Sequence, residues 1–241
     1  MRTQEKHATR FRSIQTSLLF VIVPAVIISM AVLSLMGYLS SKAIIQTSAG
    51  NEMSQCLSVA MGSIEMSLSN NRMVAETMAR GVEAVQRQAV KGEQTASDWD
   101  AAAYQEILTS FVGSNPETFG GGIWFEPYQY RPEQRYFSPY CMRQNGAVTY
   151  VDNYSLGEGV YYTDQDWYTN AANTTQKSVW SAPYYDEFAQ ISMVTSSAPI
   201  YDETGRLLGV ATADIDLTQM QQMVLSLDVV ANGRAFLIDD T

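Results

Sequence analysis

Between Arg12 and Lys42 the chain carries no charged residue, and Leu18 to Leu39 is almost continuously apolar. That run is longer than the roughly 20 residues a helix needs to cross a hydrocarbon core, so it predicts a transmembrane helix over 17–39. Pro24 falls inside it, which a membrane helix tolerates when neighbouring groups satisfy the freed carbonyl. The run also exceeds the about 7–15 apolar residues of a signal peptide, and no small-x-small cleavage site follows, so it reads as an uncleaved anchor. Beyond it, Met53, Leu57, Met61, Ile64 and Leu68 recur at spacings of three and four, the mark of a long amphipathic helix over 41–90 that continues from the span. Gly92 and Glu93-Gln94-Thr95-Ala96 end that helix. Ser97 with Asp100 resembles a capping box and opens a second helix, running to about Val112.

From Phe119 the period changes. Gly120-Gly121-Gly122 reads as a turn into the strand Ile123-Trp124-Phe125, because it lacks the Lys-Ser/Thr and the helix of a phosphate loop. Further strands are expected at Arg135–Met142, Val148–Val151, Ile191–Pro199 and Leu207–Ala213. Hairpin turns are expected at Gln144-Asn145-Gly146 and at Asp202-Glu203-Thr204-Gly205. Short helices are expected from Asp166 to about Asn173 and, capped by Asp216, to about Leu225. Long helix, short helix, then antiparallel strands with a helical insertion is an α+β pattern.

Charge adds an orientation. Of the 15 basic residues, Arg2, Lys6, Arg10 and Arg12 precede the span, with Glu5 as the one acid there. The positive-inside rule therefore places the N-terminus in the cytoplasm and the rest outside. From Ser41 onward 11 basic residues face 24 acidic ones, a balance that argues against nucleic-acid binding, which needs clustered Lys and Arg. The one histidine, His7, lies in the basic tail, and Cys56 and Cys141 have no metal-type spacing. The commonest zinc ligands and the commonest general base are thus missing from the external part. The two cysteines read as free or buried thiols.

Candidate chemistry concentrates between Tyr161 and Asp216, where aromatic rings and carboxylates alternate, a composition suited to enclosing a small polar or cationic ligand. Trp124-Phe125, Asp166-Trp167-Tyr168, Trp180-Ser181-x-Pro183-Tyr184 and Gly209-Val210-x-x-x-Asp214-Ile215, with the span and long helix, resemble the double Cache sensor domains of bacterial chemoreceptors. The resemblance covers nearly the whole chain after Ser41. It implies a cytoplasmic tail (1–16), a transmembrane helix (17–39), a long helix (41–90), a membrane-distal PAS-like ligand-binding module (91–225) with five or six antiparallel strands, and the start of a membrane-proximal module (226–241). Asn232 to Asp239 is similar to the opening strand of that second module, so the chain is expected to be truncated before a second span. It also implies location in the plasma membrane and a homodimer formed through the long helix and the span.

Family members that bind amino acids show Arg-x-Trp-Tyr, in which Arg clamps the ligand carboxylate and a later Asp receives the amine. Here Trp167 and Tyr168 match, Asp214 or Asp186 stands for the Asp, and Gln165 occupies the Arg position. An amide does not replace a permanently charged bidentate fork. With Asp164 and Asp166 also nearby in sequence, an amine or other organic cation is favoured over an ordinary amino acid. The candidate ligand-binding set is Tyr161, Gln165, Trp167, Tyr168, Tyr185, Asp186 and Asp214. Thr195 and Ser196 are further candidate donors, undecided by strand phase. No catalytic residue, metal or cofactor is expected. The other function classes are the sensor region of a histidine kinase or cyclic-dinucleotide enzyme, and a membrane-anchored hydrolase, for which Asp164 and Asp166 stand too close to flank a substrate.

Overall fold

The computed structural model describes residues 14–89, 101–151, 154, 159 and 161–225. The expected cap at Ser97 and Asp100, the helix end at Gly92, most of the tail and the expected second-module strand lie outside the described residues. Helix α1 runs unbroken from Ile14 to Ala89 through Pro24. The chain divides into two compact units, Met1–Gln55 and Cys56–Thr241. In the first, α1 is long and apolar enough to cross a membrane, and none of its apolar window is buried in protein.

The second unit is built on a seven-stranded sheet, ordered β3-β2-β1-β7-β6-β4 with β5 also paired to β6. Its strands are β1 (Gly120–Phe125), β2 (Tyr140–Gln144), β3 (Ala147–Val151), β4 (Val179–Trp180), β5 (Tyr184–Asp186), β6 (Ile191–Tyr201) and β7 (Leu207–Asp216), and every pairing is antiparallel. The helices are α2 (Ala101–Ser114), α3 (Asp166–Ala172) and α4 (Leu217–Leu225), with a 3-10 turn at Tyr162–Asp164.

Period-2 alternation divides the sheet into two chemically distinct faces. Ile123, Phe125, Ala211, Ala213, Ala198 and Ile200 face α1 and α2, meeting Val74, Met78, Val82, Tyr104 and Leu108 in one core. Trp124, Tyr140, Met142, Met193 and Val210 belong to a second core with Tyr154, Tyr162, Trp167 and Tyr168.

Several expectations need correction. The α1 residues in one core with the sheet are Val74, Ala75, Met78, Ala79 and Val82, and Ala60, Ser67 and Asn71 are also buried, while Met53, Leu57 and Met61 of the expected stripe are exposed. The strand expected at Arg135–Met142 starts only at Tyr140, because Pro139 has no N–H to give a ladder. The carbonyls of Phe137 and Pro139 still accept the N–H groups of Phe125 (3.2 Å) and Ile123 (3.0 Å). The segments around Trp180 and Tyr185 form β4 and β5, which brings the strand count to seven rather than five or six. Gly120-Gly121-Gly122 is buried strand, not turn.

Both expected hairpin turns form. Asn145 and Gly146 take φ of 50° and 81°, the left-handed pair that a two-residue hairpin needs. Asp202 Oδ1 accepts the backbone N–H groups of Thr204 and Arg206, and Gly205 has φ 83°. Asp216 Oδ1 accepts the Thr218 N–H at 2.7 Å and so caps α4. Cys56 and Cys141 are free thiols.

Candidate functional site

On the second face of the sheet, register alone gathers a set of polar groups. Thr195 of β6 sits opposite Asp214 of β7, and Asp214 sits opposite Gly120 of β1. Two residues along, Thr212 pairs with Gly122, which pairs with Tyr140 of β2. A cavity lies over this row, lined by Trp124, Tyr140, Tyr154, Trp167, Tyr184, Asp186, Met193, Thr195, Thr212 and Asp214. Its volume is about 10 Å³, space for about one water molecule.

Asp214 is the centre of a hydrogen-bond network. Its Oδ2 accepts the Tyr140 hydroxyl at 2.7 Å and its Oδ1 accepts the Thr195 hydroxyl at 2.7 Å. With its proton committed to Asp214, Thr195 Oγ1 accepts the Tyr184 hydroxyl at 2.8 Å. Burial pushes the Asp214 carboxyl up to about 7; the bonds from Tyr140 and Thr195 pull it back, and the Asp186 carboxylate pushes it further up. Burial likewise raises the Tyr140, Tyr154 and Tyr184 phenols well above their ordinary value, so all three are neutral donors.

Asp186, the second buried carboxylate, accepts the Tyr154 hydroxyl on Oδ2 and the Ala189 N–H, at 2.7 Å, on Oδ1. The β5–β6 turn thus holds it in place. The Trp124 indole donates to Thr212 Oγ1 at 2.7 Å, and its ring packs on Trp167 with centroids 4.8 Å apart. Among the described residues the lining offers carboxyls, phenols, hydroxyls and aromatic faces, and no Lys, Arg or His. Among the described residues no three His, Cys, Asp or Glu side chains come together to hold a metal.

The structure brings three of the expected site residues, Trp167, Asp186 and Asp214, to the cavity. It places the other four elsewhere. Tyr161 is 39% exposed and stacks on Tyr136 at 5.0 Å, with the Arg135 guanidinium 5.6 Å from its ring. Gln165 is the half-buried N-cap of α3, its carbonyl accepting from Tyr168 and Thr169. Tyr168 is buried, but its hydroxyl turns to Glu126 Oε1 at 2.8 Å. Tyr185 points outward at 60% exposure, because alternation along β5 turns Tyr184 and Asp186 inward. Asp164 and Asp166 are exposed.

Trp124, Tyr140, Tyr154, Tyr184, Met193 and Thr212 also line the cavity and are outside the expected set. The alternation from Asp186 back to Tyr184 was an available signal; nothing local marked Tyr140, Tyr154, Met193 and Thr212. Strand phase selects Thr195 over Ser196, which lies on the opposite face.

Residues 104–222 match the family described as methyl-accepting chemotaxis protein-like, first PDC sensor domain. The chain is 39% identical over 77 residues to the methyl-accepting chemotaxis protein McpC of Bacillus subtilis, a match covering 32% of this chain and 12% of McpC. It is 26% identical over 193 residues to McpA of Pseudomonas putida, covering 78% of this chain and 29% of McpA. It therefore spans under a third of the length of these curated relatives. The ligand-binding domain of the Campylobacter jejuni chemoreceptor Tlp3, solved with L-valine, shares the fold with a TM-score of 0.56 at 15% identity, over 77% of this chain and 66% of that one.

Proposed function

Since residues 104–222 carry a PDC (Cache-type) sensor domain of the methyl-accepting chemotaxis protein kind, we propose that the protein is the sensing part of a membrane receptor that binds a small organic cation, foremost an amine, without converting it. One observation carries this reading: two buried carboxyl groups, Asp186 and Asp214, line the cavity, and no basic side chain among the described residues does. An amino acid such as the L-valine bound to Tlp3 would bring its carboxylate against those acids with no guanidinium to receive it. A cation instead relieves their mutual repulsion and meets the π faces of Trp124 and Trp167.

The membrane anchor is α1, oriented N-terminus inward by the four basic residues before it. The exposed Met53, Leu57 and Met61 supply an apolar seam for a homodimer, along which a ligand-biased two-state change passes to the membrane. The family match and both curated relatives support a chemotaxis receptor over a sensor kinase or cyclic-dinucleotide enzyme.

The test is thermal unfolding of the full chain in detergent against amines, amino acids, organic acids and purines. Amines raise the midpoint most, by mass action on the native state, and are recovered unchanged. A dicarboxylate as the best ligand would sink the reading.

A further inference from the structure

A side chain of the protein itself fills the space a ligand needs. Tyr154 is 7% exposed, and its ring stands edge-on to Trp124 (centroids 5.1 Å apart, planes at 85°) and to Tyr140 (5.0 Å, 72°). Phe188, 39% exposed, lies 4.5 Å from the same ring. The Tyr154 hydroxyl donates to Asp186 Oδ2, one of the two buried carboxylates. With that ring in place, the cavity of about 10 Å³ admits little more than a water molecule. The surrounding rings are fixed independently of Tyr154, since Trp124 is bonded to Thr212 and packed by Trp167, and Tyr140 is bonded to Asp214.

We infer that Tyr154 is a built-in stand-in for the ligand: an amine bearing a ring-sized apolar body displaces the Tyr154 ring from the box formed by Trp124 and Tyr140 and takes over its hydrogen bond to Asp186. This rests on the cation reading above and narrows it from amines in general to ring-bearing ones. Edge-to-face contact is the arrangement aromatic pairs prefer, so the box is already shaped around a ring. An ammonium N–H replaces the phenol O–H at the same carboxylate and adds a positive charge opposite it, turning a hydrogen bond into an ion pair. A short alkylamine restores the bond but leaves part of the box empty, and void lining forfeits its dispersion contacts. Because the box is vacant only a fraction of the time, the parent's apparent affinity is lowered by that fraction, and removing the Tyr154 ring lifts the restriction.

The experiment uses Tyr154→Ala in the full chain in detergent micelles, with p-cresol, which is the tyrosine side chain as a free molecule, 2-phenylethylamine and n-butylamine as probes. p-Cresol raises the unfolding midpoint of the variant and not of the parent. 2-Phenylethylamine binds the variant at least about tenfold more tightly than the parent, and n-butylamine gains less. Absence of a p-cresol effect on the variant, or no gain for 2-phenylethylamine, overturns the assignment of Tyr154. Should Tyr154→Ala not fold, Tyr154→Phe keeps the ring and drops only its bond to Asp186. That variant binds 2-phenylethylamine more tightly than the parent, and unchanged or weaker binding overturns the inference. Equal binding of p-cresol and 2-phenylethylamine to Tyr154→Ala would overturn the cation reading. Amine binding to the parent without a p-cresol effect on the variant leaves that reading standing and removes Tyr154 from it.

Discussion

The Tyr140 hydroxyl reaches Asp214 Oδ2 at 2.7 Å by lying across strand β1, over the bare backbone of Gly120, whose own sheet partner is Asp214. A Cβ at Gly120 would collide with the Tyr140 hydroxyl and stand 2.6 Å from its ring carbon Cζ. The glycine is therefore the space through which two residues 74 positions apart meet.

Gly120→Ala is accordingly expected to push Tyr140 off Asp214 and to lower stability by about 1–3 kcal/mol, the usual cost of overpacking. Urea unfolding checks the stability, and an amine titration of the folded fraction should show weakened binding. Gly113→Ala, in exposed helix with nothing near its added Cβ, is the control and should be neutral or mildly stabilising. Equal behaviour of the two variants would remove the special role of Gly120.

Asp214→Asn should weaken amine binding by about two orders of magnitude at pH 8. Asp214 lines the same cavity as Asp186 and is the second counter-charge to the ammonium; removing one side of a buried charged interaction costs about 2–5 kcal/mol, and each 1.4 kcal/mol is about tenfold. Asp202→Asn leaves binding unchanged, because Asp202 serves the 202–206 turn and bonds Arg206 there at 3.0 Å. Calorimetric titration of both variants checks this, and a folded Asp214→Asn with parental affinity would refute it.

The Asp214 carboxyl, held near 7 in the folded protein against an ordinary 3.8, makes both stability and binding depend on pH. Between those values the folded state keeps a proton the unfolded state has released. The contribution to stability is therefore fully present below about 4 and is lost as pH rises through about 7. Binding runs the other way. An ammonium needs the ionised carboxylate, so amine affinity rises by up to about tenfold per pH unit between pH 5 and 7 and then levels off. Asp214→Asn abolishes both trends. Affinity that falls as pH rises would identify an anionic ligand.

Charge around the span predicts topology: an alkaline phosphatase fusion after residue 150 should be active and a β-galactosidase fusion there inactive. Four basic residues before the span against Lys42 just after it motivate this. The opposite result would overturn the orientation and the sensor reading with it.

What neighbouring residues encode between them is readable without the fold. The uncharged run between Arg12 and Lys42, the left-handed turn at Asn145-Gly146, the strand ranges of β6 and β7 and the cap at Asp216 are all local, and all are legible. Strands β4 and β5, with two and three residues, are too short to show a period. Tertiary structure decided phase and pairing. Whether Tyr184 or Tyr185 faces the site follows from the register that sets Asp186 opposite Ile191. Gly120-Gly121-Gly122 is strand because it pairs with β2 and β7, and Tyr140 of β2 occupies the room over Gly120 and Gly122. The α1 positions that pack are Val74, Ala75, Met78, Ala79 and Val82, which meet the sheet and α2, and not the apolar stripe at Met53, Leu57 and Met61. Asp214, Asp186, Tyr140 and Tyr184 meet only because hydrogen-bond register between strands brings alternate side chains onto one face, where Tyr154 joins them from outside the strands, and no window of sequence contains that information.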